Sequence, residues 1–246
     1  MTAEQYPLAI VTGAAHRLGR EFALSLARQR FAVLLHYQHS ERQAEQTRQD
    51  VEALGVPAIL VRADLSAEKG IAGLIEALDN ILSRKTTTLR VLVNSAAVMP
   101  RQDLSAIRAG EWDATLDLNL RAPLLLSQKA AERMPEGSLI VNITDVAAKK
   151  LWTNYPAYVV SKSALETLTR LLAKQLAPSI RVNAIAPGLV LPAEEMGSEE
   201  WARLVDRLPL GHSASVDEIT GTLNFLIKNT SITGQTIVVD GGYSLI

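Results

Sequence analysis

The chain holds 246 residues, 48% of them hydrophobic, with 25 Lys plus Arg against 26 Asp plus Glu and no Cys. This balance removes the electrostatic case for a nucleic-acid or anionic-membrane surface, the apolar content excludes a disordered chain, and the missing Cys excludes disulfides, thiolate metal sites and cysteine nucleophiles. No uncharged apolar run approaches the ~18 residues of a membrane span, and residues 1–7 carry Glu4 without the basic segment of a secretory signal. A globular, cytoplasmic protein that binds neither nucleic acid nor membrane is expected.

Short apolar runs alternate with longer helical patterns. Residues 8–11 form an apolar run closed by Thr12-Gly13. Residues 18–30 place Leu18, Phe22 and Leu26 four apart, a helical period. Strand-like runs follow at 31–37, 58–62, 90–94, 138–143, 180–185 and 236–240. Between them lie helical patterns at 40–54, 66–84, 111–134 and 158–176. Continuous apolar strands separated by helices predict a parallel sheet covered on both faces. The expected class is α/β, a doubly wound parallel sheet with helices on both faces, with residues 1–246 as one domain. Residues 187–211 carry Pro187, Gly188, Pro192, Gly197, Pro209 and Gly211. They leave the carboxyl end of the sixth strand, where ligands of open α/β sheets bind, and are expected to form a substrate lid.

The first strand-to-helix turn reads T-G-A-A-H-R-L-G, residues 12–19. Gly13 permits a tight turn, Gly19 permits close helix packing, and amides at the helix start can face a pyrophosphate. Arg17 can pair with phosphate through its planar guanidinium. The second strand ends L-L-H-Y-Q-H-S, residues 34–40, without the Asp or Glu that holds both ribose hydroxyls of NAD. His36, Gln38, His39 and Ser40, with His16, accommodate a 2′-phosphate instead, which predicts NADPH. Asp64 ends the third strand and serves either an adenine amine or a helix start. Small residues in N-S-A-A, 94–97, let a cofactor approach the fourth strand. Asn119 falls within a helical pattern, where its low propensity suggests a polar role. Tyr158 and Lys162 in Y-V-V-S-K share a helical face. An ammonium beside a phenol is expected to lower its pKa from about 10 and make it a usable proton donor.

The order of T-G-A-A-H-R-L-G, A-D-L, N-S-A-A, Asn119, Y-V-V-S-K, P-G at 187–188 and D-G-G at 240–242 resembles the short-chain dehydrogenase/reductase family over essentially the whole chain. The resemblance implies a seven-stranded Rossmann sheet, a nicotinamide cofactor and a Tyr–Lys–Asn catalytic set completed by a Ser thirteen residues before the Tyr. Here that position is Asp145. The pteridine reductase group is similar in carrying Asp there, Arg at the place of Arg17 and an H-Y pair like His36–Tyr37. The cofactor positions so implied are Gly13, His16, Arg17, Leu18, Gly19, His36, Tyr37, His39, Ser40, Asp64, Leu65, Asn94, Ser95, Ala96, Tyr158, Lys162, Pro187 and Gly188. The implied substrate positions are Arg17, Ala97, Met99, Asp145, Tyr158 and Leu189. Two features depart from that group: V-M-P at 98–100 lacks an aromatic after the fourth strand, and no basic residue adjoins His39.

By this resemblance the catalytic residues are Tyr158 as proximal proton donor, Asp145 as positioner or relay, Lys162 at the nicotinamide ribose and Asn119 supporting the lysine through water. The implied activity is NADPH-dependent reduction of a dihydropterin or folate. A 3-oxoacyl or other carbonyl reductase is the alternative enzyme reading, and a catalytically silent dinucleotide sensor the alternative of another class. No metal is expected. A homotetramer is implied, with dimer contacts from the long helices around the fifth strand.

Overall fold

Apolar strands with two hidden faces need helices above and below them. The computed structural model, which describes residues 6–193 and 196–246, shows this arrangement. Strands β1 (Leu8–Val11), β2 (Ala32–Tyr37), β3 (Ala58–Arg62), β4 (Leu89–Asn94), β5 (Ser138–Ile143), β6 (Ile180–Pro187) and β7 (Thr236–Val239) form a parallel seven-stranded Rossmann-like sheet. Their order is β3-β2-β1-β4-β5-β6-β7. The helices are α1 (Arg17–Arg28), α2 (Glu41–Ala53), α3 (Glu68–Leu82), α4 (Ala109–Leu116), α5 (Ala122–Ala131), α6 (Ala147–Lys150), α7 (Pro156–Leu176), α8 (Ser198–Val205) and α9 (Val216–Lys228). Central strands β1, β2 and β5 are buried throughout, whereas the edge strands β3 and β7 are only partly covered. One core gathers Phe22, Leu26 and Leu223 against the sheet, and a second gathers Leu74, Leu78, Leu126 and Leu172.

The strand order reverses between β1 and β4, which opens a crevice at their carboxyl ends. Gly13, with φ at +66°, turns the chain there. A Cβ at this position would lie 2.9 Å from Ala96 Cα, so no larger residue fits the approach. Thr12 Oγ1 accepts the amides of Ser95 and Ala96 at 2.9 and 3.0 Å and locks the two strand ends together.

The helix expected over 111–134 is interrupted. Its ladder widens into a π-turn, Asp117–Arg121, between α4 and α5. Pro123 near the start of α5 has no N–H to donate to the carbonyl four residues back, that of Asn119, so regular spacing fails there. Helix α9 was not among the expected helices, although S-V-D-E at 215–218 opens it with a capping box. Ser215 Oγ accepts the Glu218 amide while the Glu218 carboxylate accepts the Ser215 amide. Helix α8 lies inside the stretch expected to be irregular, and of the 187–211 lid residues 194–195 lie outside the described residues. So do residues 1–5, where the reading of the amino terminus falls. No described helix is long and apolar enough to cross a membrane.

Candidate active site

Strand β5 ends at Ile143, and the loop into α6 carries Asp145 toward α7. The first turns of α7 are buried, and Tyr158 and Lys162, one turn apart, point to the same place. The Tyr158 hydroxyl donates to Asp145 Oδ2 at 2.7 Å. Asp145 Oδ1 accepts the Ala147 amide at 2.8 Å, so the carboxylate is fixed at both oxygens. Lys162 Nζ donates to the Ile143 carbonyl at 2.7 Å and stands 5.6 Å from the centre of the Tyr158 ring.

The electrostatics correct one expectation. Burial, and then the Asp145 charge, push the Tyr158 phenol well above its usual value. The carboxylate in contact with the hydroxyl outweighs the ammonium beside the ring. Burial also raises the Asp145 carboxyl. Burial pulls Lys162 down to about 8, against the attraction of Asp145.

These groups face a cavity of about 1130 Å³. It brings together Gly13, His16, Arg17, Leu18, Gly19, Ser95, Ala96, Ala97, Met99, Asp145, Tyr158, Lys162, Pro187, Gly188 and Leu189, all expected from the sequence. Asp145 is the sole carboxylate among the described lining residues, against Arg17, Arg101 and Lys162. His16, also in the cavity wall, precedes α1 without any side-chain cap. The first-turn amides of α1 are therefore free to meet an anion. Gly188 passes Asp240 so closely that a Cβ would lie 2.6 Å from the Asp240 Cβ, which explains the glycine of P-G.

Several expected residues take other roles. Arg17 donates to the Pro192 and Leu191 carbonyls at 3.0 and 3.1 Å, so it ties the glycine turn to the lid. His36 does not reach toward a 2′-phosphate. It is buried, accepts the Gly13 amide at Nδ1 (3.2 Å) and uses Nε2 on the Ala63 carbonyl (3.0 Å). The Asn94 side chain is buried between β4 and β5, donating to Asn142 and Ser127 rather than lining the cavity. Tyr37 packs on Ala15 and Ala44, and the Leu65 side chain belongs to the core. His39, Ser40 and Asp64 end β2 and β3 outside the cavity wall, and Asp64 Oδ1 accepts the Ser66 amide and hydroxyl. Asn119 accepts the Val98 amide, donates to the Val98 carbonyl at 2.8 Å and to Ser161 at 3.1 Å. It thereby fixes the loop that bears Ala97 and Met99.

Trp152, Tyr155, Trp201 and Tyr243 also line the cavity. Trp152 meets the edge of Tyr155 at 6.3 Å and Tyr243 at 6.1 Å between ring centres. Tyr155, Trp201 and Tyr243 escaped the sequence reading. For the last two, the signals were an aromatic inside the polar lid and the residue just after D-G-G.

A family model described as enoyl-(acyl carrier protein) reductase matches residues 13–244. The chain belongs to the short-chain dehydrogenase/reductase family of oxidoreductases. It is similar to FolM alternative dihydrofolate reductase 1 from Brucella canis, solved in complex with NADP, with 34% identity and a TM-score of 0.91 over 98% of this chain and 95% of that one. An uncharacterized oxidoreductase of Methylorubrum extorquens is 34% identical over 96% of both chains. The 3-oxoacyl-[acyl-carrier-protein] reductase of Staphylococcus aureus is 30% identical over 95% of this chain and 96% of its own.

Proposed function

We propose that the protein is an NADPH-dependent pteridine reductase acting on a dihydropterin or dihydrofolate. The observation that carries the reading is the bond between Tyr158 and Asp145, a carboxylate where the family's common pattern has a hydroxyl. NADP(H) fits the residues present: uncapped amides at α1, three basic side chains along the cavity and a glycine turn that admits close approach. The cavity exceeds the roughly 300–1,000 Å³ of a single small-molecule pocket, leaving room for a cofactor and a substrate together. When bound, NADPH supplies the hydride.

The chain's own residues manage the proton. Tyr158, with its pKa raised, keeps its proton at neutral pH and presents it beside the substrate. As the carboxylate, Asp145 accepts hydrogen bonds from ring amino groups; as the acid, which burial favours, it returns a proton to Tyr158 when the Tyr158 hydroxyl gives its own to a ring nitrogen. The Lys162 ammonium, 5.6 Å from the ring centre, stabilises the phenolate that forms as Tyr158 gives up its proton. Asn119 keeps Ala97 and Met99 in place through Val98. Trp152, steadied by Tyr155 and Tyr243, offers a flat wall that V-M-P after β4 does not provide.

Carbonyl reduction is the second reading, favoured by the similarity to a 3-oxoacyl reductase. NADPH oxidation measured against dihydropterins, dihydrofolate and an acetoacetyl ester tests both. Turnover of the ester alone would refute the pteridine reading. Exposed apolar side chains on α7, Val160 and Leu171, and Phe225 on α9, support assembly into a homotetramer.

A further inference from the structure

We propose that His36 is a positioning residue for the dinucleotide turn: a neutral imidazole on β2 whose Nδ1 holds the Gly13 amide and so sets the start of α1. The inference rests on the reading of this cavity as a dinucleotide site. The geometry is specific. Gly13 N–H donates to His36 Nδ1 at 3.2 Å and the next amide, Ala14, donates to the His36 carbonyl at 2.9 Å. One residue of β2 therefore anchors two successive amides of the turn. The other ring nitrogen lies 3.0 Å from the Ala63 carbonyl, which can only accept, so Nε2 carries the hydrogen and Nδ1 is left as the acceptor.

Two consequences follow from this tautomer. The Gly13 and Ala14 amides are spent on β2, and the donors left for a phosphate are those of the first turn of α1. A second proton on the ring would place an N–H against the Gly13 N–H and break the anchor. Burial resists that proton and lowers the His36 pKa below its ordinary value. The Asp64 carboxylate beyond β3 pulls the other way, while His16 and Arg17 of the turn itself, and His39 at the end of β2, are exposed. Cofactor affinity should thus weaken in acid through a group that touches no cofactor.

Asparagine and glutamine separate the two bonds of the ring. Asn puts an acceptor near the place of Nδ1, whereas Gln puts a donor near the place of Nε2. NADP⁺ affinity measured by titration, with steady-state NADPH kinetics, should show His36→Asn close to wild type. His36→Gln and His36→Leu should raise Kd and KM about tenfold, the scale of one buried hydrogen bond left unmade, with kcat nearly unchanged. Between pH 7 and 5 the wild type should lose more affinity than His36→Asn. The ligand's own phosphate titrates equally in both proteins, so the difference reports the ring. Equal loss in all three variants, no loss in any, or the same acid dependence in wild type and His36→Asn would each overturn the proposal. Should the variants fail to fold, amide exchange in the ligand-free wild type decides: Gly13 is expected to be protected at pH 7 and to lose protection at pH 5 beyond its neighbours. A fast-exchanging Gly13 amide at pH 7 would overturn the proposal. Failure of the wild type to bind NADP⁺ with Gly13 protected would instead overturn the dinucleotide reading and leave the anchor intact.

Discussion

The two walls of the cavity are built on opposite plans. On one side the start of α7 and the end of β5 are buried, and Tyr158, Asp145, Lys162 and the Ile143 carbonyl interlock through short bonds. On the other side α8 has no buried residue, and among the described residues the 187–211 stretch meets the turn through Arg17 on two exposed carbonyls. Its ends are fixed, by Ala214 donating to the Leu189 carbonyl and Leu210 to Gly241, while Trp201 and Leu204 lie half-buried against the cavity between them. A proton must be placed within a fraction of an ångström, which demands an over-determined wall. A substrate must enter and leave, which demands a wall held by few contacts.

Tyr158→Phe attacks the rigid wall most directly. Turnover should fall by about 10²–10⁴-fold, the usual share of general acid catalysis, while NADPH binding measured by fluorescence stays near wild type. A variant with undiminished kcat would move the proton donor elsewhere. Asp145→Ser sharpens the same wall. Loss of a charge-assisted bond worth roughly 1.5–3 kcal/mol should reduce pterin turnover about tenfold to a hundredfold, while reduction of a simple ketone is spared. Parallel small changes in both would make Asp145 an ordinary loop residue.

The pH profile probes the wall without mutation. Tyr158 is held above the ordinary phenol range and stays protonated throughout, so it does not limit the alkaline side. Lys162, lowered to about 8 by burial, loses its charge as pH rises through that value. Reduction should therefore decline above about pH 8, with kcat/KM falling about tenfold per unit. A flat profile to pH 10 would show that the ammonium is dispensable.

The soft wall should respond differently. Arg17→Gln removes both ties to the lid, and proteolytic cleavage within 187–211 of the ligand-free protein should speed up about 3–10-fold, as expected for modest hydrogen bonds. Unchanged cleavage would place the restraint in α8 itself. The smallest effect is expected in cofactor choice. With His36 turned inward, the exposed His16 and His39 and the half-buried Ser40 remain to meet a 2′-phosphate, and exposed charged contacts are worth about 0–1 kcal/mol. NADPH should be preferred to NADH by roughly fivefold or less in kcat/KM; a preference for NADH would contradict the missing acid after β2.

The sheet was legible because its strands are largely apolar runs, and β5 coincides with its expected bounds because Gly137 and Thr144 flank a fully buried segment, apolar but for Ser138 and Asn142. The rigid wall was legible for a related reason: Asp145, Tyr158 and Lys162 lie close in sequence on a strand end and one helix face. That the His36 and Asn94 side chains turn into the protein was not legible, because the side of the strand they face depends on pairing with neighbours, which local sequence does not carry. The aromatic lining was only partly visible, since Trp152 and Tyr243 meet across 91 positions of chain.

The widened turn at Asp117–Arg121 amounts to one surplus residue threaded into an otherwise regular helix. It keeps Asn119 aimed at Val98 and Ser161. Excising a single residue there would restore an unbroken spiral and rotate everything upstream by about 100°, given 3.6 residues per turn. Such a shortened chain would gain helical regularity and lose the grip on the loop carrying Met99. In this segment the number of residues itself shapes the site: a deletion here is a different kind of change from any substitution.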